Sequence, residues 1–260
     1  MKSSAVDQNR GLVTLPDSSR LELMVLDSDT PEEDVAAFVD IFNNEWLFQP
    51  IVEETFRKRV ERGTLIGAYL GQKPATLLET TSLNLEGIAE IEEAITGYKE
   101  RAYEVCKLLH KRIPRGYYDL TNNGEWHENE ANSNVLVMVD ITTPQHLQGN
   151  GLATALINYF IAIMLEQKGF QCPSHLKNIK YVFPFTPKPD GYTDINYSGG
   201  SLRLHLGNGA FNTGYILPNA RLGHPEYDVV FPCYLAPGYV PKLGDMAIHR
   251  NVGSGMPIPS

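Results

Sequence analysis

The sequence predicts an α/β protein, a β-sheet with helices packed against it, and three observations carry that prediction. Residues 135–141 (VLVMVDI) form a β-branched and apolar run with a single charge, the pattern of a strand buried on both faces. Gln148-Gly149-Asn150-Gly151 follows as a glycine-bearing turn, and an apolar helix pattern runs over residues 152–165. On both sides of this unit, short β-branched runs and longer helical stripes are punctuated by Gly and Pro.

Taken in order, residues 1–19 are polar, with Gly11, Pro16 and Asp17, and read as an N-terminal arm outside a single domain spanning 20–236. Residues 21–26 (LELMVL) give a first strand. Asp29 and Thr30 offer an N-cap, Pro31 a first helical position, and Glu32, Glu33 and Asp34 suit the positive end of a helix. Val35, Phe38, Val39 and Phe42 form its apolar stripe. Pro50 breaks the chain, and a second helix is predicted over 52–62, ending at Gly63. Residues 64–70 and 75–83 read as two strands joined by a Gly71-Gln72-Lys73-Pro74 hairpin turn.

An insertion, residues 84–133, separates these strands from the central one. In its first half Ile88, Ile91, Ile95, Tyr98, Ala102, Val105 and Leu109 follow a heptad-like alternation of spacings. One reading is a self-association helix that makes a homodimer. The other, favoured by the interruptions at Gly97 and Ala102, is an accessory helix packed on its own domain. The second half carries Tyr117, Tyr118, Trp126, His127, Glu128 and Glu130, suited to line a site for a cationic amine or to lie on the surface. Beyond the central helix the chain predicts a strand at 180–185, a long Pro-rich loop, and a short helix over 201–206 stopped by Gly207 and Gly209. Strands at 211–217 and 227–235 follow, and residues 237–260 read as a C-terminal tail.

Composition narrows the function classes. A formal net charge of −9 argues against nucleic acid or an anionic membrane as partner. Cys106, Cys172 and Cys233 are odd in number and far apart, with neither a disulfide framework nor a metal-ligand spacing among them. The N-terminal residues lack the apolar core of a signal peptide, and no run reaches the length of a membrane span, so a cytoplasmic location is expected.

The turn at 148–151 carries the chemistry. Glycines at 149 and 151 let backbone approach a ligand, and the helix that follows opens with amides that lack intrahelical partners and with the positive end of its dipole. Strand, glycine turn and helix start together form an anion site. A P-loop is excluded because no Gly-Lys-Ser or Gly-Lys-Thr occurs. A dinucleotide fingerprint, and with it a nucleotide-binding oxidoreductase, is disfavoured by Thr154 in the third-glycine position. The form that fits is Q-x-x-G-x-A, from Gln148 through Gly151 to Ala153. In that form the stretch resembles the acyl-CoA-binding signature of the GNAT superfamily of N-acyltransferases.

A second stretch resembles the same superfamily. Many members carry a helix of the form [AS]-x-x-x-[YH]-x-x-x-G-[FA], whose places are taken here by Ser201, His205, Gly209 and Ala210. Residues 216–221 (ILPNAR) are similar to what succeeds that helix in one bacterial branch. The sequence departs at Ser198, where many members have an asparagine that contacts pantetheine, with Asn196 two places away. An extra residue within 142–147 also blurs the alignment at the strand end.

The resemblance implies a twisted, mixed, mostly antiparallel sheet flanked by helices. It also implies acetyl-CoA as co-substrate and transfer of its acyl group to a primary amine of a small molecule or peptide by direct attack. The amides of Gly149, Asn150, Gly151, Leu152 and Ala153, with Gln148, would hold the pyrophosphate, and backbone groups of Val139 to Ile141 the pantetheine. His205 stands where a tyrosine often protonates the departing thiolate, a task an imidazole can perform near neutral pH; the other reading is a helix histidine packed under the site. Asp140, the one charge in an apolar strand, is the candidate base, or else makes a structural hydrogen bond. Glu79 and Glu130 are reserves for that role, and Tyr215, Arg221, His224 and Glu226 are candidates to line the acceptor pocket. A protein of this fold that binds acyl-CoA without turnover, as a sensor or assembly partner, is the alternative.

Overall fold

The computed structural model describes residues 9–45, 51–113, 132–189, 200–218, 228–244 and 246–250. Ten strands lie among them: β1 (Gly11–Thr14), β2 (Arg20–Val25), β3 (Leu65–Leu70), β4 (Lys73–Leu83), β5 (Val135–Thr142), β6 (Tyr181–Pro184), β7 (Thr186–Pro187), β8 (Phe211–Leu217), β9 (Val229–Cys233) and β10 (Ile248–Arg250). The larger sheet runs β10-β1-β2-β3-β4-β5-β6, and the smaller runs β7-β9-β8. Within the larger sheet only β5 and β6 are parallel. A bridge between Val182 and Leu235 ties the two sheets together. This is the mixed, mostly antiparallel α/β architecture expected from the sequence.

Six helices of the described residues flank the sheets: α1 (Glu32–Glu45), α2 (Glu53–Glu61), α3 (Ile88–Ala94), α4 (Tyr98–Arg112), α5 (Leu152–Met164) and α6 (Gly200–Gly207). Helix α1 starts as its sequence dictates, with the Pro31 carbonyl accepting from the Val35 amide and three acids in the first turn. It buries Val35, Phe38 and Val39, while α2 buries Phe56, Arg59 and Val60, against one face of β3 and β4. The β3–β4 hairpin closes through Gly71 and Gln72, both at positive φ, the geometry of a two-residue hairpin turn.

Helix α5 lies on the other face, and nearly every residue from Leu152 to Ile163 is buried. A helix apolar all round must be covered on more than one side. The sheet covers one side, and the C-terminal segment, through Leu243 and Met246, packs against the same core. This corrects the reading of both chain ends. Part of the supposed arm forms β1, and part of the supposed tail forms β10, which pairs with β1 in antiparallel register from Gly11↔Arg250 to Val13↔Ile248. Polar composition concealed these strands because each is short and carries a single buried apolar side chain, Val13 in one and Ile248 in the other.

The heptad-like seam is also corrected: it is two helices rather than one, broken where Ile95 takes extended backbone angles. Ile88, Ala102, Val105 and Leu109 pack into a core with Phe183, Phe211 and Phe231 of the same chain. The described seam is thus spent on internal packing. The aromatic and acidic half of the insertion, Tyr117 through Glu130, lies outside the described residues.

After α6, Gly209 turns the chain at φ +93°, and a Cβ built there would stand 2.2 Å from the Lys242 carbonyl oxygen. Backbone faces backbone, so neither can retreat as a flexible side chain would. Gly209→Ala is expected to lower stability by about 2 kcal/mol or more, whereas Gly200→Ala, with nothing within 4 Å, should be near neutral. Urea denaturation of the two variants against the parent checks this.

Candidate functional site

Parallel pairing of β5 with β6 runs from Val135↔Tyr181 to Met138↔Pro184 and stops there. Pro184 carries no N–H for the ladder, and the last bond is donated by the Phe185 amide to the Met138 carbonyl at 2.8 Å. The chain of β6 then turns away, so that Thr186 pairs with Val230 in the smaller sheet. On its other side β5 stays paired with β4 but slips register: Asp140 opposes Glu79 while Met138 opposes Thr80, which leaves Val139 as an extra residue. A bulge of this kind bends the strand and re-aims its side chains. Between the parted strands opens a cleft of about 740 Å³, lined by Met138 through Thr143 on one wall and by Phe185, Pro187, Leu204 and His205 on the other.

The floor of the cleft at one side is the turn after β5. Gln148 donates its side-chain amide to the Thr143 carbonyl at 2.9 Å, pinning the loop to the end of the strand. Gly149 at φ +80° has nothing within 4 Å of a built Cβ, so this turn is open toward the cleft. Gly151 at φ +82° is the N-cap of α5, and the Met246 methyl occupies the place a Cβ would take. No side chain caps α5 and no acid lies in its first turn, so the amides of Leu152, Ala153 and Thr154 lack intrahelical acceptors at the wall they help to form. Among the described lining residues there is no lysine or arginine. Positive potential at this wall comes from backbone N–H groups and the helix dipole.

Two carboxylates and one imidazole line the same cleft. Asp140 is half-buried, and its Oδ2 accepts from the Thr142 hydroxyl at 2.6 Å. Glu45, at the exposed end of α1, accepts from the Gln145 amide at 3.0 Å. His205 is 3% exposed, its Nδ1 lies 3.1 Å from the Tyr234 hydroxyl, and that hydroxyl also donates to the His205 carbonyl at 3.2 Å. Burial pushes the His205 imidazole down to about 3, so it is neutral at physiological pH. The expectation of an imidazole that titrates near neutrality is thereby corrected.

Of the candidates named from sequence, Asp140, His205, Val139, Ile141, Gln148, Gly149, Gly151, Leu152 and Ala153 all come together at this cleft. Asn150 does not. It is exposed, and its side chain donates to the Leu147 carbonyl at 3.3 Å. Glu79 is removed as a base: it is 2% exposed and ion-paired to Arg59 at 2.7 Å. Tyr215 pairs with His110 at 2.5 Å away from the cleft lining. Glu130, Asn196, Ser198, Arg221, His224 and Glu226 lie outside the described residues. Sequence reasoning missed Glu45 and Thr142. Thr142 was legible as the hydroxyl two places after Asp140, on the same strand face. Glu45 reaches the cleft only through the fold and left no local signal.

The geometry is that of an α/β protein whose mixed sheet parts between β5 and β6, with an uncapped helix start at the mouth of the gap. Comparison with solved structures identifies the fold further. The loading GNATL domain of CurA from Lyngbya majuscula superposes with a TM-score of 0.52 at 13% identity, over 83% of this chain and 97% of that one. Malonyl-CoA decarboxylase from Agrobacterium vitis gives 0.50 at 13% identity, over 82% of this chain and 60% of that one. No protein-family model matches the sequence, and no curated protein does. The chain has the fold of the GNAT superfamily.

The neutral state of His205 has a measurable consequence. Its pKa is lowered on folding from 6.5 to about 3, so the unfolded chain binds the extra proton as pH falls through that window. Its contribution is complete above the unfolded pKa and is lost on acidification by about 1.4 kcal/mol per pH unit. Denaturation of the parent and of His205→Gln at pH 7.5, 6 and 5 should give a constant difference at the top of the range and a parent that weakens faster below it. Parallel curves would contradict the buried, neutral assignment.

Proposed function

We propose that this protein is an acyl-CoA-dependent N-acyltransferase, with acetyl-CoA as donor and a cationic primary amine of a small molecule or peptide as acceptor. The observation that carries the reading is the cleft itself, in which a splayed strand bearing one carboxylate adjoins an uncapped helix start free of acids. The residues present fit a CoA ester: free amides and an open glycine for the pyrophosphate, and the β5 edge at Val139 to Ile141 for pantetheine amides. When bound, the co-substrate supplies an activated acyl thioester.

The chain's own groups account for the rest. Asp140 holds the acceptor as its ammonium and then takes the proton that must leave before the nitrogen can attack. Thr142 fixes one carboxylate oxygen of Asp140, and Glu45 adds negative charge at the mouth, favouring a cation. His205, kept neutral, presents an uncharged ring to the cleft and does not act as an imidazolium. The acidic balance of the whole chain favours the same class of acceptor.

Two variants separate binding from turnover. Ala153→Asp places a carboxylate in the helix start, where it suits the helix but repels a phosphate. It should therefore abolish the thermal stabilisation by CoA, worth about 2.7 kcal/mol at a hundredfold excess over Kd in the parent. Asp140→Asn should retain CoA binding and lose about 10²–10⁴-fold in kcat/KM across an amine panel. If CoA binds and the parent acetylates no amine of the panel, the protein is a binding module and not an enzyme.

A further inference from the structure

Behind the cleft lies an ion pair that the proposed chemistry has not used. Arg59 and Glu79 are each about 2% exposed, and one guanidinium nitrogen lies 2.7 and 2.9 Å from the two carboxylate oxygens. Arg59 occupies the apolar stripe of α2 between Phe56 and Val60, where a hydrophobic residue would pack. A buried pair is a poor device for stability, since apolar replacements of like volume are often as good or better. Its placement suggests a different use. Glu79 is the direct cross-strand partner of Asp140, at the last regular position before the bulge. Side chains so opposed lie on one face with Cβ atoms about 5 Å apart. Two carboxylates on neighbouring strands at that range disfavour each other's ionisation.

We propose that Arg59 is a positioning residue for acyl transfer: by binding Glu79 it leaves Asp140 ionised in the cleft as the group that receives the acceptor's proton. This rests on the reading of Asp140 given above. Among the described residues the other charged or titratable groups around Asp140 are few. Glu45 from α1 and His205 from α6 line the cleft with it, and His205 carries no charge. Arg59 is a cation placed to offset negative charge at this point of the sheet, through Glu79. Removing it leaves Glu79 and Asp140 to compete for one proton, and the acid limb of the rate profile moves toward neutrality.

The test reads Asp140 directly, by carboxyl carbon-13 NMR titration assigned with Asp140→Asn, alongside the pH profile of kcat/KM. Arg59→Met should raise the Asp140 midpoint by about one unit or more, and the acid limb should move with it. The double variant Arg59→Met/Glu79→Met, which removes both charges and refills the space, should restore both to the parent values. Should Arg59→Met fail to fold, Glu79→Gln serves, because it removes the like charge opposite Asp140 while keeping the guanidinium, and must shift the midpoint downward. Unchanged midpoints in the folded variants, with stability and kcat falling together, would overturn the proposal and leave a structural pair. If the parent transfers no acyl group at all, the function proposed above fails, while the titration still decides whether Arg59 governs Asp140.

Discussion

The structure depends on one parting of neighbours, the departure of β6 from β5 after Met138. A parallel pair exposes its edges only at a cost, because each N–H and C=O that leaves the ladder needs another partner. Here the cost is offset locally. Pro184 has no N–H to lose, the Phe185 amide still reaches Met138, and the departing strand is taken up by the smaller sheet through Thr186. On the opposite side β5 remains bonded to β4, with the bulge at Val139 absorbing the bend. The gap is thus held open by covalent chemistry and by a second sheet, not by a void in a core. It stays open without strain on the residues that line it.

The same economy explains why the glycine turn is rigid. Helix α5 is buried along almost its whole length, so its first turn cannot move without disturbing the central core. The C-terminal segment that completes this core also sets Met246 on Gly151, and β10 fastens that segment to the far edge of the sheet. Amides at a helix start bind an anion well only when they are fixed before it arrives, and packing of this kind fixes them. Chain ends that look dispensable in the sequence therefore lie under the most specific part of the site.

Much of the fold was legible in the sequence because local chemistry and tertiary demand agree there. Strand β5, the glycine turn and α5 are each overdetermined by apolarity, positive-φ residues and helix propensity, and the hairpin at Gly71 and Gln72 obeys its turn type. The failures share a cause. Strands β1 and β10 are defined by each other across most of the chain, so neither segment carries its own signal. The seam over 88–109 has the right period but is cut by backbone angles at Ile95 that spacing alone does not encode. At the site, residue types were readable and environments were not. Asp140 and Glu79 looked equivalent as carboxylates in strands until Arg59 was found beside one of them. His205 looked titratable until its burial beneath Tyr234 was seen.

That pair of environments also decides how labour divides within the cleft. A base and an acid of similar ordinary pKa do not serve one reaction unless their surroundings push them apart. Burial drives His205 toward neutrality, and a neutral ring with its Nδ1 tied to a tyrosine is fixed in orientation and carries no charge. Asp140 is treated in the opposite way. It is half-exposed and hydrogen-bonded by Thr142, and the carboxylate that opposes it across the sheet is ion-paired to an arginine set into the core. Under the proposed function, proton uptake in this cleft therefore belongs to the strand, whose carboxylate is half-exposed, and not to the helix, whose imidazole is buried and neutral.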